Sequence, residues 1–116
     1  MSDQDNPYKW ILDDCQIPAL YSQDGKSAEE AVVHVKLFMP YHNWTWLLLE
    51  YDPEEELAFG FSYDAAFPQG AELGYISFKE LQQVSNMSFA TKVCRDILFE
   101  PTSLAEAKKS YCPHAL

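Results

Sequence analysis

Five carboxylates crowd into the seven residues Glu50-Tyr51-Asp52-Pro53-Glu54-Glu55-Glu56, the densest charge feature of the chain. A run of this kind around a proline turn is ordinarily a solvated hairpin tip. Its functional form is an acidic finger that competes for the phosphate-binding groove of a basic protein. Full mimicry of duplex DNA asks for more, because DNA carries one charge per roughly 1.7 Å of axis over a long surface. Trp44 and Trp46 stand just before the run, and tryptophan dominates the energetics of protein interfaces. Glu50, Asp52, Glu54, Glu55 and Glu56, with Trp44 and Trp46, are therefore the candidate partner-binding residues.

Groups for catalysis are sparse. His34, His42 and His114 belong to no H-E-x-x-H or H-x-H spacing, so no metal site is expected. Cys94 precedes Arg95-Asp96, and a guanidinium can activate a thiol, yet a cysteine in apolar sequence is more often an inert core residue. Glu50 with Asp96 or Glu72 would make a carboxylate pair for acid–base work, as almost any acidic sheet protein could. Arg95, the only arginine, is expected to clamp Glu72 or Asp96 in the fold. The alternative is a small-molecule pocket or weak active site that joins Tyr75 and Arg95 to the two tryptophans. The four glycines are scattered and form no phosphate loop. The expectation is a non-enzymatic protein without cofactor or metal.

The bulk charge supports a protein partner. Eighteen acidic against eight basic side chains give a net charge of −10, which opposes direct nucleic-acid binding but suits a basic, nucleic-acid-binding protein. The three cysteines, Cys15, Cys94 and Cys112, make no C-x-x-C pair and read as reduced thiols. No apolar run approaches the ~20 residues of a membrane span, and the first residues are polar and acidic. A cytoplasmic protein is expected.

The elements that must position these residues follow from periodicity and punctuation. With 116 residues, 47% of them hydrophobic, the chain suits a single domain over 1–116, with a flexible tail at 1–7 and a loose end at 110–116. A short helix is expected over Pro7 to Cys15, then an apolar segment Ile17 to Tyr21 and a polar loop. Ala31 to Met39, Trp44 to Tyr51, Leu57 to Tyr63 and Glu72 to Ile76 read as strands, separated at Pro40 and Pro53. The short connections favour an antiparallel meander. Ser77-Phe78-Lys79-Glu80 and Ser103-Leu104-Ala105-Glu106 are capping boxes, starting helices near Phe78 to Val84 and up to Lys109. Phe89 to Glu100 is ambiguous between strand and extended connection. The fold class is thus α+β: a meander of four to five strands with two or three short helices on it.

Strict alternation would place Trp44, Trp46, Leu48 and Glu50 on one face of the second strand, with Leu47, Leu49 and Tyr51 on the other. Gly60 and Gly74 would make room for neighbouring rings or mark bulges.

The segments Ile17 to Tyr21, Val35 to Pro40, Trp44-Thr45-Trp46, Glu50, Phe59-Gly60, Glu72 to Ser77, Leu81, Arg95-Asp96, Phe99 and Pro101 run in order along the chain. Together they resemble the family catalogued as domain of unknown function 2958. The resemblance implies a small cytosolic protein of bacterial plasmids, integrative elements and phages, with no catalytic residues to carry over. Such elements often carry inhibitors of restriction or CRISPR systems. Cys94 stands where the family often has an acidic residue before Arg-Asp, and the Phe67-Pro68 loop also departs from its pattern.

Overall fold

Pro40 and Pro53 each end a strand by withholding an amide from the ladder, and the chain reverses at both. The structure, a computed structural model, describes residues 10–11, 17–23 and 25–113. Seven strands are present among the described residues: β1 (Val32–Val33), β2 (Val35–Phe38), β3 (Trp44–Asp52), β4 (Leu57–Asp64), β5 (Glu72–Ser77), β6 (Cys94–Arg95) and β7 (Thr102–Ser103). Two helices, α1 (Phe78–Met87) and α2 (Leu104–Tyr111), complete the α+β fold. Five strands form one antiparallel sheet in the order β5-β4-β3-β2-β6, while β1 and β7 pair separately.

The stretch from Ala31 to Met39, expected as one strand, is broken at His34. Its two halves find different partners: β1 pairs with β7, and β2 with β3 and β6. The chain therefore steps from one layer into the next. Val33 packs with Leu47, Leu49, Phe61, Leu104 and Ala107 under α2. Val35 and Leu37 pack with Trp46, Leu48, Phe78 and Leu81 under α1. Both faces of the sheet are consequently apolar cores, which explains why β3 is hydrophobic on both sides.

Register in β3 slips once. Leu48 pairs with Gly60, but Glu50 pairs with Phe59, leaving Leu49 as the extra residue of a bulge. Beyond it the alternation inverts. Tyr51 joins the α1 face, its ring tilted against Phe78 at 4.8 Å, and Glu50 turns to the α2 face with Phe59. Both assignments from strict period two are thereby reversed. Gly60 sits at the bulge, where a Cβ would strike the Leu47 carbonyl; Gly74, its partner in β5, has open space around it. Close backbone approach, not a ring, explains Gly60.

Both serines cap their helices. Ser77 Oγ accepts the Glu80 amide at 3.3 Å and Ser103 Oγ the Glu106 amide at 3.2 Å. Helix α1 runs to Met87, beyond the expected end, because Ser85 is buried and its hydroxyl accepts the Val93 amide at 2.9 Å. From Phe89 to Glu100 only Cys94–Arg95 becomes strand. In the stretch expected as a loose end, Ser110 and Tyr111 close α2 and Cys112 is buried beneath it. The expected tail at 1–7, most of the helix from Pro7 to Cys15, and residues 114–116 lie outside the described residues. Within that helix span Trp10 is described: it is buried, and its indole donates to the Val93 carbonyl at 3.2 Å. No helix among the described residues is long and apolar enough to cross a membrane.

Candidate functional site

The bulge in β3 delivers Glu50 to the base of a cleft of about 380 Å³. Leu49, Phe59 and Leu73 supply apolar lining from β3, β4 and β5, and Tyr21 and Tyr75 stand exposed at the mouth. The Phe59 and Tyr75 rings meet edge to face, 5.4 Å apart at 69°. The hydroxyls of Tyr21 and Tyr75 lie 2.9 Å apart in a hydrogen bond.

Glu50 is only 5% exposed, and it organises the segment in front of it. Its two oxygens accept the main-chain amides of Tyr21 and Gln23, each at 2.8 Å. These bonds hold Tyr21 in the left-handed region at φ 70°, a conformation that costs a bulky residue free energy. Gln23 then spends its whole side-chain amide: Oε1 accepts from Val32 N at 2.9 Å, and Nε2 donates to the carbonyls of Leu49 at 3.0 Å and Val32 at 3.2 Å. The Tyr51 amide donates to the Pro18 carbonyl at 2.9 Å, closing the strap onto β3.

The candidates read from sequence separate into several places. Asp52 caps the tip between β3 and β4, its Oδ1 accepting the Glu54 amide at 3.0 Å and the Glu55 amide at 3.5 Å. Glu54 and Glu55 are exposed there, while Glu56 lies within 3.9 Å of Lys79. Glu50 is not part of the tip. Trp44 and Trp46 stack at 5.6 Å at the other end of β3, about 27 Å and about 20 Å from Asp52 at strand rise, and Trp46 is buried. The acidic run and the tryptophans thus form no single surface.

A pocket joining Tyr75 to Arg95 and the tryptophans is also not assembled. Tyr75 is on β5 and Arg95 on β6, the opposite edges of the sheet, about 19 Å apart in strand spacing. Arg95 is buried. It cannot clamp Glu72, which shares the β5 edge, and Asp96 is held instead by Lys36 at 3.1 Å. Lys36 also sits 4.0 Å from the Tyr111 ring centroid. The carboxylate pairs are not brought together either: Glu72 pairs opposite Ser62 on the face away from Glu50, and Asp96 lies at the far edge.

Titration follows burial. Burial pushes the Cys94 thiol up against the smaller effect of Lys92, and pushes the Cys112 thiol up to about 11 against Lys108 and Lys36. Neither is a poised nucleophile; Cys15 lies outside the described residues. Burial, then the Lys26 charge, holds His34 below the usual imidazole range. His42 is exposed in its turn, and His114 is outside the described residues. No group of three or more His, Cys, Asp or Glu side chains among the described residues could hold a metal ion.

Sequence order alone does not reveal that Tyr21, Gln23 and Phe59 converge on Glu50 and Tyr75. The available signal is that Tyr21, Glu50, Phe59, Leu73 and Tyr75 all fall within the segments that carry the family resemblance.

Fold and cleft together define a small α+β domain with a helix on each face of an antiparallel sheet and an aromatic-walled cleft at one sheet edge. The chain belongs to the family described as Protein of unknown function (DUF2958), whose model matches residues 12–108. No curated protein and no solved structure matches it.

Proposed function

We propose that the protein is a non-enzymatic interaction protein that docks a basic, nucleic-acid-handling protein, of the kind found in bacterial restriction or CRISPR defence, through its acidic hairpin. The observation that carries this reading is the charge gathered at one end of the sheet. Asp52, Glu54, Glu55 and Glu56 form the tip, and the Phe78 amide donates to the Glu56 carbonyl at 2.9 Å, which brings exposed Glu80 in the first turn of α1 beside them. Lys79 is the basic side chain paired within this group, 3.9 Å from Glu56 and itself largely exposed. Such a field accelerates encounter with a positive surface and repels nucleic acid itself.

The test is capture from a bacterial lysate at low and moderate salt, beside a Glu54→Lys/Glu55→Lys variant. Those two side chains are exposed, so the double substitution leaves the turn made by Asp52 in place. The reading expects a basic nucleic-acid-binding protein that is retained at low salt and released by salt and by the variant. Capture indifferent to both would overturn it.

A further inference from the structure

We propose that the Glu50 cleft is a binding site for a small organic cation bearing an alkylated ammonium group. This is independent of the acidic hairpin. The cleft's volume of about 380 Å³ lies in the range of small-molecule sites, roughly 300–1,000 Å³.

Charge is the first argument. Among the described residues Glu50 makes no ion pair, although it is 5% exposed. The amides of Tyr21 and Gln23 occupy one acceptor position on each oxygen, and a carboxylate oxygen has two. A buried carboxylate held by neutral donors alone keeps an uncompensated charge, and a cation in the cleft compensates it. Lys26 does not supply that cation: it also lines the cleft, but its ammonium rests 3.5 Å from Gln23 Oε1.

The walls argue for the kind of cation. Tyr21, Phe59 and Tyr75 bring three rings to the cleft, two of them set at 69° as a corner. Ring faces attract cations, and such aromatic enclosures are the usual receptors for methylated ammonium groups. A bare ammonium needs acceptors for three N–H bonds; the Gln23 amide is spent and the Ser27 hydroxyl already accepts the Glu30 amide at 3.3 Å, which leaves chiefly the open positions of Glu50 beside walls of ring and aliphatic carbon. Alkyl groups ask for no acceptor and pack on Leu49 and Leu73. A hard metal ion would want about six to eight oxygen ligands, and the aromatic and aliphatic lining offers nothing of the kind. Lys26 at the mouth favours a ligand whose far end is neutral or anionic.

Calorimetric titration of the full chain with choline, glycine betaine and 3,3-dimethyl-1-butanol tests this, the alcohol being the uncharged isostere of choline. Choline and betaine are expected to bind about tenfold or more tighter than the alcohol, the scale of a desolvated cation–π contact. Tyr75→Leu, at an exposed position on the edge strand, should weaken choline by a similar factor. Glu50→Gln should do the same where it folds. The proposal fails if no probe binds, if the alcohol binds as well as choline, or if Tyr75→Leu leaves choline affinity unchanged.

Discussion

Glu50 and Tyr21, 29 residues apart in sequence, are joined by a 2.8 Å hydrogen bond in which the Tyr21 amide donates to the buried carboxylate. Through that bond and its twin to Gln23, one side chain determines where the whole segment before β1 lies against the sheet. Glu50→Ala strands both amides at once. An unsatisfied donor costs about 1–3 kcal/mol when buried, and these are partly exposed, so a loss of about 2 kcal/mol is expected in urea unfolding. Glu50→Gln keeps one acceptor oxygen and should lose about half as much. Equal losses for the two variants would mean that packing, not the paired acceptance, is what Glu50 contributes.

The two sheet glycines should answer to alanine with opposite signs. At Gly60 a Cβ meets the Leu47 carbonyl across the bulge, and backbone cannot swing away. Gly60→Ala is expected to cost about 2 kcal/mol, in the range of overpacking. Gly74 pairs with it yet has no atom within 4 Å of a built Cβ, so Gly74→Ala should stabilise by about 0.5 kcal/mol through the unfolded chain. Thermal unfolding of both variants makes the comparison: an unaffected Gly60→Ala would refute the close approach at the bulge, and a destabilised Gly74→Ala the open space at its partner.

Cys112 ties stability to alkaline pH. Its folded thiol is pushed up from 9.0 to about 11, so between those values the unfolded chain releases a proton that the folded one keeps. The contribution is therefore fully present below about pH 9 and is lost as pH rises through 11. Unfolding midpoints measured from pH 8 to 11 should fall in the parent and fall less in Cys112→Ala. Parallel curves would contradict the assignment. For the same reason Cys112 should resist alkylation in the folded state at pH 8.

How far the fold was legible depends on how local its causes are. The prolines, the β-branched and aromatic runs and the two capping boxes act within a few residues, and β3, β4, β5 and the starts of α1 and α2 lie where those signals put them. The pairing of β1 with β7 and of β6 with β2 involves two-residue strands that carry no periodicity of their own. Their existence depends on contacts far along the chain. The site was less legible still. One extra residue at Leu49 reverses which face Glu50 occupies, and a bulge leaves no mark in an unbroken run of apolar residues. Glu50 and Tyr75 were nameable as residues; that they share a cleft with Tyr21, and that Arg95 belongs to the other edge, required the strand order.

The clasp between β1 and β7 also carries a consequence for timing. Val32 pairs with Ser103, and the Leu104 amide donates to the Ala31 carbonyl at 2.8 Å, so the layer over Leu47, Leu49 and Phe61 is completed only by residues translated well after it. At roughly 5–20 residues per second a ribosome needs on the order of 4–14 s to pass from the first strand of the clasp to the second. During that interval the nascent meander exposes one apolar face to water, and a chaperone acting on this chain would meet it there.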